Sequence, residues 1–302
     1  MSLSPVGIFV FNRPQHTYNL LKSITNCSSI KNIKFYVFSD FYNKFEDKQK
    51  VLEVRSIVNS FKKKLNILLI KYKKNKGLYK SIIYGVNYIV KRNSKVIVLE
   101  DDLILDSSFF KYMNLSLIKY RNKSKIMQIS GYSYPITNVC NASYFLNLSS
   151  CWGWGIYKKN WLNFIDFISK KKNITLAYQD LLNSNKLKND FNCDGNFNYF
   201  RILKKHITSK VSSWGILFYL YCFYKKKLIL YPSRSLVTNS GFDGSGHHRS
   251  FSNFFNYKKK IKINSKIVYP ANIEINKKIL FKVQFFFRKN LSYFSKIRSL
   301  FL

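Results

Sequence analysis

The chain has 302 residues, of which 52 are Lys or Arg and 14 are Asp or Glu, so its formal net charge is +38. This length is enough for one large α/β domain or two small ones, and a hydrophobic fraction of 46% excludes a disordered chain. The five Cys form no CxxC pair, which argues against a structural zinc site and against a disulfide-stapled scaffold.

The N-terminal segment MSLSPVGIFV has no basic region and no small-residue cleavage site, so we expect no signal peptide. No uncharged apolar run reaches about 18 residues, so we expect no membrane-spanning segment. The high charge has two explanations that the composition leaves open. It favours an anionic partner, and it is also what a Lys-, Asn- and Ile-rich compositional drift would produce.

The first hundred residues alternate between short apolar runs and segments of helical periodicity. The apolar runs predict buried strands at Val6–Phe11, Ile33–Phe38, Leu65–Ile70 and Lys95–Leu99. The periodic segments predict helices at Thr17–Ile24, 47–62 and Gly77–Val90. A later apolar run predicts another strand at Ile126–Ser130. Strands that alternate with helices indicate an α/β fold, a mostly parallel sheet with helices on both faces.

Polar residues follow three of these predicted strands at the points where the strands end. They are, in chain order, Asn12, Arg13, Asp40, Glu100, Asp101 and Asp102. In open α/β sheets, ligands bind at the carboxyl ends of the strands. We therefore expect these side chains to lie along one edge of the sheet and to form a binding site.

The acidic triplet Glu100–Asp102 is the main indication of chemistry. Acids are so scarce that three in a row are expected by chance only about 0.04 times per chain. Adjacent carboxylates repel each other, so a buried cluster is costly unless a cation neutralises it. Mg²⁺ or Mn²⁺ does this with one or two carboxylates, while phosphate oxygens of a substrate complete the coordination. The alternative is a solvated loop.

Two common nucleotide-binding motifs are missing. No GxGxxG follows the first predicted strand, and no GxxxxGK[ST] occurs anywhere in the chain. This disfavours dinucleotide oxidoreductases and P-loop NTPases. A sheet that binds a nucleotide through a carboxylate-held metal, without a glycine-rich loop, favours nucleotide-sugar chemistry.

Six segments in this order resemble bacterial GT-A glycosyltransferases related to N-acetylglucosaminyltransferase I. They are PVGIFVFNRP, FYVFSD, NKGLYKSIIYGV, VIVLEDDLILDSSFFKYM, CWGWGIYKKNW and SLVTNSGFDGSGHH. The resemblance covers about residues 5–250 and is most specific at EDD and its following helix, and at GFDGSG. It implies an inverting enzyme that uses UDP-N-acetylglucosamine and Mn²⁺. It also implies a GT-A domain over residues 1–250, with a nucleotide-binding half (1–105) and an acceptor half (106–250).

The resemblance also implies residue roles. Arg13 would contact the nucleotide, and Asp40 would hold the uracil edge. Within the triplet, Asp101 would bind the ribose and Asp102 would ligate Mn²⁺ or Mg²⁺. We assign Asn12 and Glu100 to the same nucleotide-sugar site.

His247 and His248 follow the GFDGSG segment. Paired His can ligate a metal or contact a diphosphate. Adjacent side chains of a strand diverge, so the two rarely ligate one ion. We take His247 as a second candidate metal ligand.

Inverting transfer needs a carboxylate base near the acceptor hydroxyl. The resemblance places this base near SSWGILFYLY, a segment that contains no acid in this chain. We predict Asp194 as the base, although it also suits a turn before Gly195. Asp243 is the other candidate, and it could equally fix the glycine loop. A chain that has lost activity is the third alternative.

The segment Ser150–Gly155 carries two Trp next to glycines, which allow a ligand to approach the backbone closely. Aromatic faces suit the apolar C–H surfaces of sugar rings. We predict Trp154 as a contact of the donor sugar. The alternative is that Trp152 and Trp154 are core residues at strand spacing.

Residues 251–302 form a basic, aromatic tail in which Glu274 is the only acid. Its end, KKILFKVQFFFRKNLSYFSKIRSLFL, interleaves cations with Phe, as in segments that lie on an anionic bilayer. This predicts a cytoplasmic protein, peripheral on the inner face of the plasma membrane. The alternative is an ordinary terminal helix packed on the domain.

Taken together, the sequence predicts a metal-dependent hexosyl- or N-acetylhexosaminyltransferase. It would move a sugar from a nucleotide-sugar, UDP-linked, to a glycan or lipid-linked acceptor in surface polysaccharide synthesis. The alternative from another class is a non-catalytic basic protein that binds nucleic acid. The chain has no RNP1, KH, zinc-finger or helix-turn-helix signature, so we expect no nucleic-acid partner.

Overall fold

The computed structural model describes residues 3–136, 141–244, 255–256 and 267–299, with side chains described up to residue 290. The strands in these residues are β1 Val6–Val10, β2 Lys34–Ser39, β3 Asn66–Lys71, β4 Lys95–Glu100, β5 Leu103–Leu105, β6 Ile126–Ser130, β7 Tyr144–Leu146, β8 Trp154–Tyr157, β9 Leu228–Tyr231 and β10 Val237–Asn239. The helices are α1 Pro14–Thr25, α2 Lys48–Ser60, α3 Gly77–Val90, α4 Phe109–Lys119, α5 Lys158–Ser169, α6 Lys171–Asn183, α7 Asn185–Phe191, α8 Tyr199–Ile207, α9 Trp214–Tyr224 and α10 Lys277–Ser299.

Eight of these strands form one sheet in the order β3-β2-β1-β4-β8-β6-β9-β7. The pairs β3-β2, β2-β1, β1-β4 and β6-β9 are parallel. Strands β8 and β7 run antiparallel to their neighbours. Strands β5 and β10 pair separately, as a two-stranded antiparallel sheet. The predicted fold class, a mostly parallel α/β sheet, is confirmed.

Helices cover both faces of the sheet, as predicted. On one face, Gly85 lets α3 approach β1, because a Cβ at this position would lie 2.5 Å from the Phe9 ring. On the other face, Phe35 of β2 packs edge-on against Phe110 of α4, with ring centroids 5.9 Å apart. Strands β1, β2 and β4 are therefore buried between two helical layers, which explains their continuous apolar runs, whereas the edge strand β3 is partly exposed.

The strand register brings the predicted polar residues to one edge. In β1, Val10 is level with Ser39 of β2, and Phe9 is level with Glu100 of β4. Asn12 and Arg13 follow β1, Asp40 follows β2, and the acidic triplet begins at the last residue of β4. The carboxyl ends of three adjacent parallel strands thus carry all of these side chains.

The C-terminal helix α10 packs on the domain. Ile279, Val283 and Phe287 are buried and belong to the same hydrophobic core as the sheet. Before the helix, the Asn276 amide donates to the Phe145 carbonyl of β7. In residues 277–290 the structure agrees with the alternative of a terminal helix packed on the domain. The predicted boundary at residue 250, between the domain and the C-terminal tail, stays a prediction.

Among the described residues, no helix combines the length and the apolar character that crossing a membrane requires.

Candidate active site

Arg13 joins two members of the acidic triplet. Its Nη2 donates to Asp101 Oδ1, and the same nitrogen lies 3.1 Å from Asp102 Oδ2. Arg13 follows β1, and α1 begins at Pro14, whose missing N–H suits the first helical position. The strand–helix turn therefore holds the guanidinium over the end of β4.

The triplet carries more negative charge than Arg13 neutralises. Burial, together with the charges of Asp102 and Asp101, raises the pKa of Glu100 to about 8, against the opposing effect of Arg13. Burial also raises the pKa of Asp101 to about 6, although Arg13 lowers it. Two carboxylates, Asp101 and Asp102, face one guanidinium, so a further cation at this site would be stabilising.

A loop that is distant in sequence contacts Asp102. The Ser240 amide and hydroxyl both donate to the Asp102 carbonyl, at 2.7 Å and 2.9 Å. A Cβ on Gly241 would lie only 2.6 Å from Asp102 Oδ2, so only glycine lets the loop come this close. The pairing of β10 with β5 places this loop, because Asn239 is level with Leu103, directly after the triplet.

His16 links the same loop to α1. Its Nε2 lies 3.3 Å from the Ser240 carbonyl oxygen and 3.3 Å from Asp243 Oδ2. A carbonyl only accepts hydrogen bonds, so Nε2 carries the hydrogen in this arrangement. We call Arg13, His16, Asp101, Asp102 and Asp243 the carboxylate cluster. It brings Asp243, one of the two candidate bases, next to the triplet.

Asp40 is buried and braces the start of α3. Its carboxylate accepts hydrogen bonds from the amides of Phe41 at 2.8 Å, Lys76 at 2.9 Å and Gly77 at 2.9 Å. These contacts satisfy amides at the helix N-terminus, where a negative charge is favourable. Asp40 lies at the predicted edge of the sheet, where it stabilises the N-terminus of α3. Its uracil contact stays a prediction.

Asn12 also lies at this edge, and its side-chain amide donates to Asp47 Oδ1 at 2.6 Å. Asp47 immediately precedes α2. Asn12 therefore ties the end of β1 to the start of α2, and its contact with a nucleotide-sugar stays a prediction.

Trp154 lies inside the domain. It is fully buried in β8 and stacks on Trp214 of α9, with ring centroids 5.0 Å apart. A side chain without exposed surface does not reach a ligand in this conformation, so the structure favours the core alternative for Trp154. The neighbouring Trp152 is only partly buried and packs against Phe242, next to Gly241. Of the two, Trp152 is the one near the candidate site.

Asp194 lies on a turn after α7, in a left-handed conformation with φ of 53°. Its carboxylate accepts a hydrogen bond from Gln284 of α10. No contact among the described residues joins Asp194 to the carboxylate cluster. The turn alternative fits this geometry, and the catalytic role of Asp194 stays a prediction.

His247 and His248 lie outside the described residues. In the part of the chain that is described, no three or more His, Cys, Asp or Glu side chains are grouped to hold a metal ion. Within the described cluster, Arg13 bonds to Asp102 through Oδ2, and no described residue donates to Oδ1. One carboxylate oxygen of Asp102 is therefore available to a cation.

Sequence reasoning missed His16, Ser240, Gly241 and Trp152. GFDGSG was noticed as a motif, but its contact with Asp102 depends on two strands more than 130 residues apart in the chain. His16 follows the strand-end Arg13 by three residues. A search for titratable residues in the first turn after each strand would have found it.

No protein-family model matches the chain, and no curated protein matches its sequence. Among solved structures it is similar to residues 1–349 of TarS from S. aureus, at 12% identity over 80% of this chain and 60% of that one, with a TM-score of 0.46. It is similar to GalNAc-T7 with UDP, GalNAc and Mn²⁺, at 11% identity over 78% and 43% of the chains, with a TM-score of 0.48. The glycosyltransferase GlyE of Streptococcus pneumoniae TIGR4 matches at 12% identity over 77% and 45%, with a TM-score of 0.39.

The chain spans less than two thirds of the length of each of these proteins. All three identities are low, and all three TM-scores lie below 0.5. These likenesses describe what the chain is similar to.

Proposed function

We propose that the protein is a metal-dependent glycosyltransferase that takes its sugar from a nucleotide-sugar, with UDP as the nucleotide. The observation that carries the proposal is the carboxylate cluster at the carboxyl ends of β1 and β4. There Arg13 only partly neutralises Asp101 and Asp102, and Gly241 keeps the surrounding loop close without filling the space beside Asp102. A sugar-diphosphate and its cation supply the charges that this arrangement needs.

The donor set fits a hard divalent cation. Carboxylate oxygens are the ligands that Mn²⁺ and Mg²⁺ prefer, and such ions are often held by one or two carboxylates plus substrate phosphate oxygens. Asp102 would hold the ion through its available oxygen, with His247 as the second candidate ligand. When bound, the ion stabilises the negative charge of the departing diphosphate.

The chain's own residues have separate tasks in this proposal. Arg13 holds Asp101 and Asp102 in place and offers its remaining N–H groups to the nucleotide, since a guanidinium carries five donors. Asp101, Glu100 and Asn12 line the nucleotide side of the site. Asp40 fixes the start of α3, which forms the wall beside β2.

The acceptor side needs a carboxylate base for inversion at the anomeric carbon. Asp194 is the candidate from the sequence, and Asp243 gains support from its contact with His16. The N–H at His16 Nε2 faces Asp243, so His16 would orient this carboxylate while Asp243 itself accepts the proton of the acceptor hydroxyl.

The narrower assignments rest on the ordered sequence motifs. They are inversion, a hexosyl or N-acetylhexosaminyl donor, a glycan or lipid-linked acceptor, and a place in surface polysaccharide synthesis. The residues that would select the sugar lie around Gly131–Tyr134 and Ser150–Gly155. Trp152 is the partly exposed aromatic side chain there.

The first test is a thermal-shift screen of UDP-, GDP-, CMP- and dTDP-sugars with Mn²⁺ or with EDTA. A ligand that binds only the native state raises its apparent stability. We expect UDP-sugars with Mn²⁺ to stabilise the protein and the same sugars with EDTA to do so far less. The matching activity is slow release of UDP by hydrolysis of the donor.

The matched variants are Asp102→Asn in the site and Asp166→Asn on the surface. Asp166 forms an exposed ion pair with Lys170, so its loss changes little. We expect Asp102→Asn to lower Mn²⁺-dependent UDP release by about a hundredfold or more, and Asp166→Asn to leave it unchanged. Equal activity of the two variants, or donor binding that is the same with Mn²⁺ and with EDTA, would disprove the proposal.

A further inference from the structure

Helix α10 has two faces of different character, and only one of them is used by the fold. Ile279, Val283 and Phe287 are buried in the core, whereas Phe281 and Phe285 are 68% and 59% exposed. We propose that the outer face of α10 docks on an anionic lipid bilayer. This proposal does not depend on the catalytic activity proposed above.

Contacts on the inner face fix the rotation of the helix. Phe287 packs against Tyr134 and Phe197, with ring centroids 5.5 Å and 5.0 Å apart. At the side, Gln284 donates to Asp194, and Arg288 Nε lies 3.1 Å from Asn196 Oδ1. Because the helix is held in this way, Phe281 and Phe285 are directed away from the domain and are largely exposed.

The outer face has the pattern of an interfacial helix. At 3.6 residues per turn, Phe281 and Phe285 lie one turn apart in the middle of the exposed face. The exposed cations lie on both sides of them: Lys277 and Arg288 on one side, and Lys278 and Lys289 on the other. Helices of this kind bury their aromatic side chains at the boundary between headgroups and acyl chains and keep their cations among the headgroups.

Charge complementarity selects an anionic bilayer as the occupant. Residues 275–302 contain no Asp or Glu, so nothing on this helix repels a negatively charged surface. Lys and Arg side chains near such a surface are attracted to it. A protein partner with an acidic groove would also attract cations, but a flat lipid surface suits two aromatic side chains on a convex helix.

The helix is also connected to the candidate site. Phe286 packs against Phe255, Phe255 against Trp152, and Trp152 against Phe242, with centroid distances of 5.8 Å, 6.0 Å and 5.7 Å. Phe242 directly follows Gly241, which touches Asp102. These ring contacts connect α10 to the loop that carries Gly241.

The test is flotation of the full-length protein with lipid vesicles. We expect the protein to float with phosphatidylcholine vesicles that contain about one third phosphatidylglycerol, and not with pure phosphatidylcholine. The double variant Phe281→Ser/Phe285→Ser should lower the vesicle partition coefficient by about tenfold or more. Lys277→Glu/Lys278→Glu should lower it to a similar extent, because it places repulsive charges on the same face.

Helix α6 provides matched controls. Leu176 and Leu182 are exposed to 48% each, and Lys171 and Lys172 are exposed cations on the same helix. We expect the double variants Leu176→Ser/Leu182→Ser and Lys171→Glu/Lys172→Glu to keep the partition of the unchanged protein. All four double variants should keep its melting temperature and its UDP-sugar hydrolysis without vesicles.

Two results would overturn the proposal. One is failure of the unchanged protein to bind phosphatidylglycerol vesicles. The other is an equal loss of binding in the α6 and α10 variants, since this would assign the binding to the overall charge of +38. A protein that binds vesicles through α10 and hydrolyses no UDP-sugar would support this proposal and contradict the proposed function.

Discussion

Arg13 and Lys170 each bind a carboxylate, in very different surroundings. The Arg13 side chain is 18% exposed and faces the nearly buried Asp101, whereas the Lys170–Asp166 pair is about 60% exposed on both sides. Removing one partner of a buried pair leaves an uncompensated charge, which is costly, whereas exposed pairs contribute little. The two pairs should therefore differ strongly in their effect on stability.

We predict that Arg13→Gln lowers the free energy of unfolding by about 3 kcal/mol. Lys170→Gln should lower it by less than about 1 kcal/mol. Urea unfolding monitored by Trp fluorescence measures both values. Similar losses in the two variants would mean that the acidic triplet is well solvated, as in the loop alternative that the sequence left open.

Some residue roles could be predicted from the sequence and others could not. The strand-end positions of Arg13 and Asp102 follow from local patterns, because the apolar strands and the polar residues after them are neighbours in the chain. Whether Trp154 faces a ligand or the core depends on α9, which packs against it and is about 60 residues away. Strand spacing alone leaves that choice open.

Helix α10 carries both buried and exposed Phe side chains, so their contributions to stability can be compared within one helix. Phe287 is 1% exposed and lies among aromatic rings of the core, whereas Phe281 is 68% exposed. Burial of an aromatic side chain in a packed core stabilises a protein, and truncating it also leaves a cavity. Truncating an exposed side chain changes the stability of a protein only a little.

We predict that Phe287→Ala destabilises the whole domain by about 3–4 kcal/mol, and that Phe281→Ala changes its stability by less than about 0.5 kcal/mol. Differential scanning calorimetry is the measurement, with the transition of the domain as the readout. If Phe287→Ala leaves that transition unchanged, α10 does not belong to the core, and residues 251–302 are energetically separate.

At the level of elements, strands β1 to β4 and β6 were predicted from the sequence, whereas β7, β8, β9 and β10 were not. Strands β1 to β4 are apolar runs that can be recognised in the sequence, although β1 pairs with β4, which follows it by about 90 residues. Strand β8, in contrast, inserts antiparallel between β4 and β6, and β7 pairs with β9, more than 80 residues later. Such pairings depend on long-range packing, which local residue patterns do not predict.

The distribution of charge over the whole molecule is uneven. Only 14 acids oppose 52 Lys and Arg, yet three of these acids are consecutive, and a fourth, Asp243, contacts His16, whose charge acts on Asp101. A strongly cationic protein attracts an anionic sugar nucleotide, which favours rapid encounter. The carboxylate cluster would repel the diphosphate once it arrived, so the proposed function requires a divalent cation between them.

The most direct test of this claim is a crystal of the full-length protein soaked with Mn²⁺ and UDP, with diffraction data collected at the manganese absorption edge. We predict an anomalous peak within bonding distance of the Asp102 carboxylate, bridged to the diphosphate, and no peak in crystals of Asp102→Asn. A map in which Arg13 remains the only cation at Asp102, with UDP absent from the ends of β1 and β4, would contradict the account.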